Sequence, residues 1–128
     1  MKLQVSLEYM NMLIFLSAIL ILLIVGGYLS TAKSILAKEE KEARNVLQKV
    51  INEIELASYV GPGYERIFYL PYSINGLKYN ITVSNYTVRL TLKNGKVWIE
   101  TIDIEEVKGY FHPGKNLIKN VKGMIYGT

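Results

Sequence analysis

Across residues 13–25 only Ser17 and Ala18 interrupt a run of Leu, Ile, Phe and Val. No proline occurs before Pro62, and only Gly26 and Gly27 weaken a helix in all that length. One helix over about residues 6–60 is therefore predicted. At 1.5 Å per residue it would be ~80 Å long, far more than the ~30 Å of bilayer hydrocarbon. Its two parts must then meet different surroundings. Residues 10–29 are apolar on every side and ~20 residues long, the length that spans a bilayer. In a chain of 128 residues this leaves room for one modest domain and no large enzyme.

Beyond Ser30 the pattern turns amphipathic. Ile35, Leu36, Ala43, Val46, Leu47, Val50, Ile51, Ile54 and Ala57 recur at spacings of three and four, without a sustained heptad. Lys38, Glu39, Lys41, Glu42, Arg44, Lys49, Glu53 and Glu55 fall on the opposite, solvated face. Gly61-Pro62-Gly63 ends the helix, because glycine accepts the backbone of a helix terminus and proline cannot continue one. Residues 66–70, 78–83, 87–92 and 96–102 are then rich in β-branched and aromatic side chains and read as strands. Shorter ones are predicted at 107–111, 116–121 and 124–126. Asn94-Gly95 favours a type I′ hairpin turn, and Asn75-Gly76, Ser84-Asn85 and His112-Pro113-Gly114 mark others. The predicted architecture is α+β: a long N-terminal helix over 4–60, whose amphipathic half packs on an antiparallel sheet within 61–128.

Chemistry is sparse. Cysteine is absent, which excludes disulfides, thiolate metal sites and cysteine nucleophiles. The single histidine, His112, sits in a turn without an identifiable nucleophile or orienting partner. Asp103, Glu105 and Glu106 lack the ordered oxygen ligands of a calcium loop, and no glycine-rich phosphate loop is present. No enzymatic activity, metal or cofactor is expected. The net charge of +4 arises wholly after residue 60 and shows no clustering in the sequence, so no specific nucleic-acid partner is predicted. The ten tyrosines are read as packing residues with one polar end.

The first residues differ from a secretory signal: the basic region is only three residues long, and no small-residue cleavage site follows the apolar run. Gln4, Ser6 and Glu8 stand directly ahead of that run. This Gln-x-Ser-x-Glu arrangement resembles the class III signal peptide of archaeal type IV pilin-like proteins. The resemblance implies that a prepilin peptidase removes residues 1–3 as a leader, cutting between Leu3 and Gln4. Gln4, Ser6 and Glu8 would then head the assembling helix, with Glu8 pairing with the α-amino group of a neighbouring mature chain. Leu3 stands where the family tends to have a small residue, and Met12 where it tends to have leucine.

By this resemblance the chain is expected to be a structural subunit of an extracellular filament, stored in the membrane and then polymerised into a homo-oligomer by pilus assembly machinery. The alternative is a minor pilin or adhesin, or a single-pass anchored binding protein. A bare count of basic residues after the span (Lys33, Lys38, Lys41, Arg44) opposes the cytoplasmic N-terminus that such processing requires. Asn80-Ile81-Thr82 and Asn85-Tyr86-Thr87 fit the N-glycosylation pattern. Asn80 is expected to point away from the core and Asn85 to occupy a turn, so both are glycosylation candidates on a cell-surface protein.

Overall fold

A computed structural model describes the backbone of Lys2–Thr128 and the side chains from Gln4 onward. Met1 and the side chains of Lys2 and Leu3, and with them the predicted leader, lie outside the described residues. The chain is α+β: helix α1 spans Lys2–Val60 and is followed by seven strands. It divides into two units, Met1–Ala37 and Lys38–Thr128.

In the first unit every described side chain is exposed. That includes Ile35 and Leu36, which the amphipathic reading placed on the buried stripe. They are 49% and 56% exposed, because no sheet residue lies within this unit to cover them.

The second unit contains the rest of α1 with β1 (Glu65–Leu70), β2 (Tyr79–Ser84), β3 (Thr87–Leu92), β4 (Val97–Thr101), β5 (Lys108–Gly109), β6 (Gly114–Val121) and β7 (Met124–Gly127). These form two sheets where one was expected. One is an antiparallel β2-β3-β4 meander, and the other has the order β1-β6-β7-β5. The second sheet is mixed, since β5 runs parallel to β7. After β4 the chain passes through a loop pinned by buried Ile102 and Val107, and it returns beside β7 instead of continuing the meander. Glycine makes this approach possible: a Cβ on Gly109 would overlap the Gly127 carbonyl oxygen.

Within this unit one core lies between the helix and both sheets. Ala43, Val46, Leu47, Val50, Ile51, Ile54 and Ala57 face Phe68, Ile81, Val88, Leu90, Phe111 and Ile118, all buried. Phe68 and Phe111 meet with ring centroids 5.6 Å apart and tilted by 59°, a favourable aromatic arrangement. The alternation in β2 and β3 is as expected, with Tyr79, Ile81, Val83, Val88, Leu90 and Leu92 inward.

Turn chemistry departs from expectation at Asn94-Gly95. Only Gly95 has positive φ there, and its N–H donates to the Leu92 carbonyl at 3.0 Å while Leu92 N–H donates to Lys96 O at 2.8 Å. This is a wider loop ending in a left-handed glycine. Asn94 is held out of the left-handed region by an Asx-type bond, its Oδ1 accepting from Lys96 N–H at 3.1 Å. Two consecutive positive φ values, the mark of type I′, occur instead at Asn75-Gly76, Asn85-Tyr86 and Lys122-Gly123.

Two charged residues assigned to the wet helix face are buried. Glu39 Oε1 lies 2.9 Å from Lys96 Nζ, and Glu53 Oε1 lies 3.6 Å from a guanidinium nitrogen of Arg66. Each carboxylate meets a cation from a hairpin or strand laid against the helix, which is how a buried charge is tolerated.

Candidate functional site

The first unit has the features of a surface made to be covered. Its most apolar 18-residue window has mean hydropathy 2.7, contains at most two charges, and is 0% buried. Leu22, Leu23 and Ile24 are 71%, 68% and 63% exposed. Contiguous apolar surface on this scale is rare on soluble monomers and marks a membrane or protein interface. Two of the hydroxyl groups along this helix are satisfied by its own backbone. Ser17 Oγ donates to Leu13 O at 2.8 Å and Thr31 Oγ1 to Gly27 O at 2.9 Å, so neither demands a polar partner from outside. A Cβ added at Gly26 or Gly27 would meet nothing within 4 Å. The two glycines leave that stretch of helix backbone without side chains, which would permit close approach of another helix and also costs about 1 kcal/mol each in a helix interior.

At the head of this surface Gln4, Ser6 and Glu8 are all helical and exposed. Gln4 and Glu8, one turn apart, share a face, whereas Ser6 lies off it. Among the described residues Glu8 makes no ion pair. A carboxylate ahead of a span carries a cost, about 2.5–3.5 kcal/mol where a charge lies at the helix centre. The eleven Leu, Ile, Phe and Val residues of positions 13–25 contribute roughly 3–7 kcal/mol of insertion on the same scale. The helix can therefore carry the charge into lipid, and an opposite charge there would be a favourable partner.

The sequons lie close together on the second unit. Asn80 is exposed on the outer face of β2, and Asn85 is exposed at the first left-handed position of the β2–β3 turn. Thr87 Oγ1, from the second sequon, donates to Ser84 O at 2.8 Å. The geometry leaves both asparagine side chains open to solvent.

Three polar constellations hold the second unit together and were not anticipated. Glu39 Oε2 accepts from Asn75 Nδ2 at 3.1 Å, and Glu42 Oε2 accepts from Asn75 N–H at 3.1 Å. With the Lys96 pair, this fastens both the Asn75-Gly76 turn and the β3–β4 turn to the helix. The Lys96 ammonium and the Asn75 amide together hold the Glu39 carboxyl below the usual range, against the opposing effect of burial. Buried Asn116 closes the 112–116 turn: its Oδ1 accepts from His112 N–H at 3.0 Å, and its Nδ2 donates to His112 O at 2.7 Å. Buried Asn120 donates from Nδ2 to Ala57 O at 3.0 Å and accepts at Oδ1 from Gly123 N–H at 3.0 Å. It thereby ties the last helical turn to the β6–β7 turn. A sequence signal did exist, since Asn116 and Asn120 flank Ile118 at strand spacing, but alternation alone does not say that polar residues face inward.

His112 is half-buried, and its Nδ1–H donates to Pro113 O at 2.9 Å, a local bond that closes the turn. Tyr79 is buried, and that burial pushes its hydroxyl pKa upward; the hydroxyl donates to Pro71 O. Among the described residues no group of three or more acidic or imidazole side chains converges to hold a metal ion. No family model, curated protein or solved structure matches the chain. What stands is a long apolar helix able to cross a membrane, continuous with an amphipathic segment packed on two β-sheets.

Proposed function

We propose that the chain is a structural subunit of an archaeal type IV pilus-like extracellular filament, trimmed before Gln4 and polymerised through its apolar helix. The observation that carries this reading is the pairing of a fully exposed apolar helical unit with a Gln4, Ser6, Glu8 head. Such a surface suits lipid before assembly and neighbouring helices after it, because the same apolar side chains serve both states. Glu8 would pair with the α-amino group exposed at Gln4 of a neighbouring chain and set the axial register. The second unit would coat the filament and carry any glycan at Asn80 or Asn85.

The test is Glu8→Ala expressed without wild-type subunit, comparing membrane-bound with sheared extracellular protein. Membrane insertion should be unimpaired or slightly easier, because a charged group near lipid has been removed. Filament yield should fall sharply, since each added subunit would bury an unpaired ammonium group. Normal yield would contradict the role given to Glu8. Absence of filaments from wild type under inducing conditions would favour an anchored binding protein. Intact-mass measurement of the native protein should show a chain starting at Gln4; a start at Met1 would sink the processing step.

A further inference from the structure

The outer face of the β1-β6-β7-β5 sheet is not polar throughout, and it is exposed at Glu65, Ile67, Tyr69, Lys108 and Lys115 and half-exposed at Leu117, Lys119 and Tyr126. Strand pairing sets Tyr69 beside Lys115, Ile67 beside Leu117, and Lys119 between Glu65 and Tyr126. Ile67 and Tyr69 are 47% and 60% exposed, and Lys119 Nζ stands 6.0 Å from the Tyr126 ring centroid. Lys108 joins the same row from β5. Three lysines against the one carboxylate of Glu65 leave the face apolar and aromatic with a basic surround.

A complementary surface exists on the same chain. In the 102–107 loop, buried Ile102 and Val107 anchor the ends, while Asp103, Glu105 and Glu106 are exposed. The loop is fixed: Tyr86 N–H donates to Glu105 O at 3.0 Å, and Ile102 N–H donates to Tyr86 O at 2.9 Å. The ion pairs of the second unit occupy Glu39, Glu40, Glu42, Glu53 and Glu100. Among the described residues they leave unpaired both the three loop carboxylates and Lys108, Lys115 and Lys119. Two surfaces of opposite charge, neither of them ion-paired within its own molecule, are complementary in charge.

We infer that the basic aromatic sheet face around Tyr69, Lys115 and Lys119 docks the acidic 103–106 ridge of a second copy of this chain. The contact is heterologous, one patch meeting a different one, so it propagates from subunit to subunit instead of closing on a pair. It deepens the filament reading, and rests on it, by naming a contact between β units additional to the helix contacts. Charge complementarity of this kind fixes partner orientation and weakens as salt rises.

The absence of cysteine makes the test clean. Full-length Lys115→Cys and Glu105→Cys chains are co-expressed, and the membrane and sheared filament fractions are treated with a short bis-maleimide. Trp98 fluorescence verifies that both variants are folded. Mixed cross-linked dimers should form, at least tenfold more than either variant gives with itself, and should decline in high salt. Adding Lys108→Glu and Lys119→Glu to the Lys115→Cys chain should remove them. Adding Asp103→Lys and Glu106→Lys to the Glu105→Cys partner should then restore them, which a misfolded sheet face could not do. Filaments that assemble without the mixed cross-link would overturn this contact and leave the filament reading standing. Mixed cross-links in membranes from cells that never form filaments would do the reverse. Equal self-cross-linking of Lys115→Cys would overturn the heterologous geometry.

Discussion

Replacing Asn120 with alanine should loosen the junction between the helix end and the four-stranded sheet. The side chain makes two hydrogen bonds from a site only 4% exposed, and each such bond contributes about 0.5–1.5 kcal/mol net. The acceptor and donor groups left behind are not badly stranded. Ala57 O still receives Gly61 N–H at 3.2 Å, and Gly123 is exposed, so water can replace the lost Oδ1. The sum is therefore about 2 kcal/mol, without a large orphan penalty. For a unit of roughly 90 residues an unfolding entropy of ~2.1 cal/mol/K per residue gives ~5 °C per kcal/mol, so the melting midpoint should fall by about 10 °C. Trp98, the single tryptophan, packs partly buried against the core and reports the transition by fluorescence in detergent micelles. Asn120→Asp should be worse than Asn120→Ala, because a buried carboxylate would face the carbonyl at a helix C-terminus. Asn52→Ala, which removes an exposed contact with Gln48, should stay within about 0.5 kcal/mol. A fall of less than ~3 °C for Asn120→Ala, or a milder effect from aspartate, would refute the stapling role.

Glu39 has a lowered folded pKa, so its contribution to stability is complete above the ordinary carboxyl value of 4.5 and is lost as pH falls through the folded value. Glu39→Gln should thus destabilise at neutral pH and flatten the acid limb of a urea midpoint-versus-pH curve; parallel curves would count against the ion pair. Gly127→Ala would set a Cβ 2.7 Å from the Phe111 ring, and should cost about 1–3 kcal/mol by overpacking, read from the denaturant midpoint. Glycopeptide mass spectrometry of native material should find glycan on Asn80 or Asn85; both bare at high coverage would refute this modification.

Much of this fold could be read from the sequence because its signals are local. Residues 87–92 alternate cleanly, and the strand found there has the expected bounds and inward face. Glycine and proline at 61–63 mark the helix end, where Gly61 has φ 92°. What escaped depends on partners far along the chain. Glu39 and Glu53 read as solvated until Lys96 and Arg66 are brought to them. The split into two sheets follows from β1 choosing β6, and nothing near residue 65 announces residue 119. Asn94 carried a strong turn signal, but its own side chain selected a different turn. For the candidate assembly surface, the apolar span, the exposure of Asn80 and Asn85 and the acidic cluster of Asp103, Glu105 and Glu106 were legible; the basic aromatic sheet face required the pairing register.

The two sheets also differ in when they can form. The β2-β3-β4 meander closes through a two-residue turn and a short loop, so every pairing within it joins residues near in sequence. Pairing of Glu65 with Lys119 instead closes a loop of roughly fifty residues, and that entropy is lost before any ladder bond offsets it. The meander can gather on the helix while β1 waits for β6. The bond from Asn120 to Ala57, which joins β6 to the helix end, would then close late, and a chain arrested before it would leave open to its neighbours the β6 edge that β1 covers in the finished sheet.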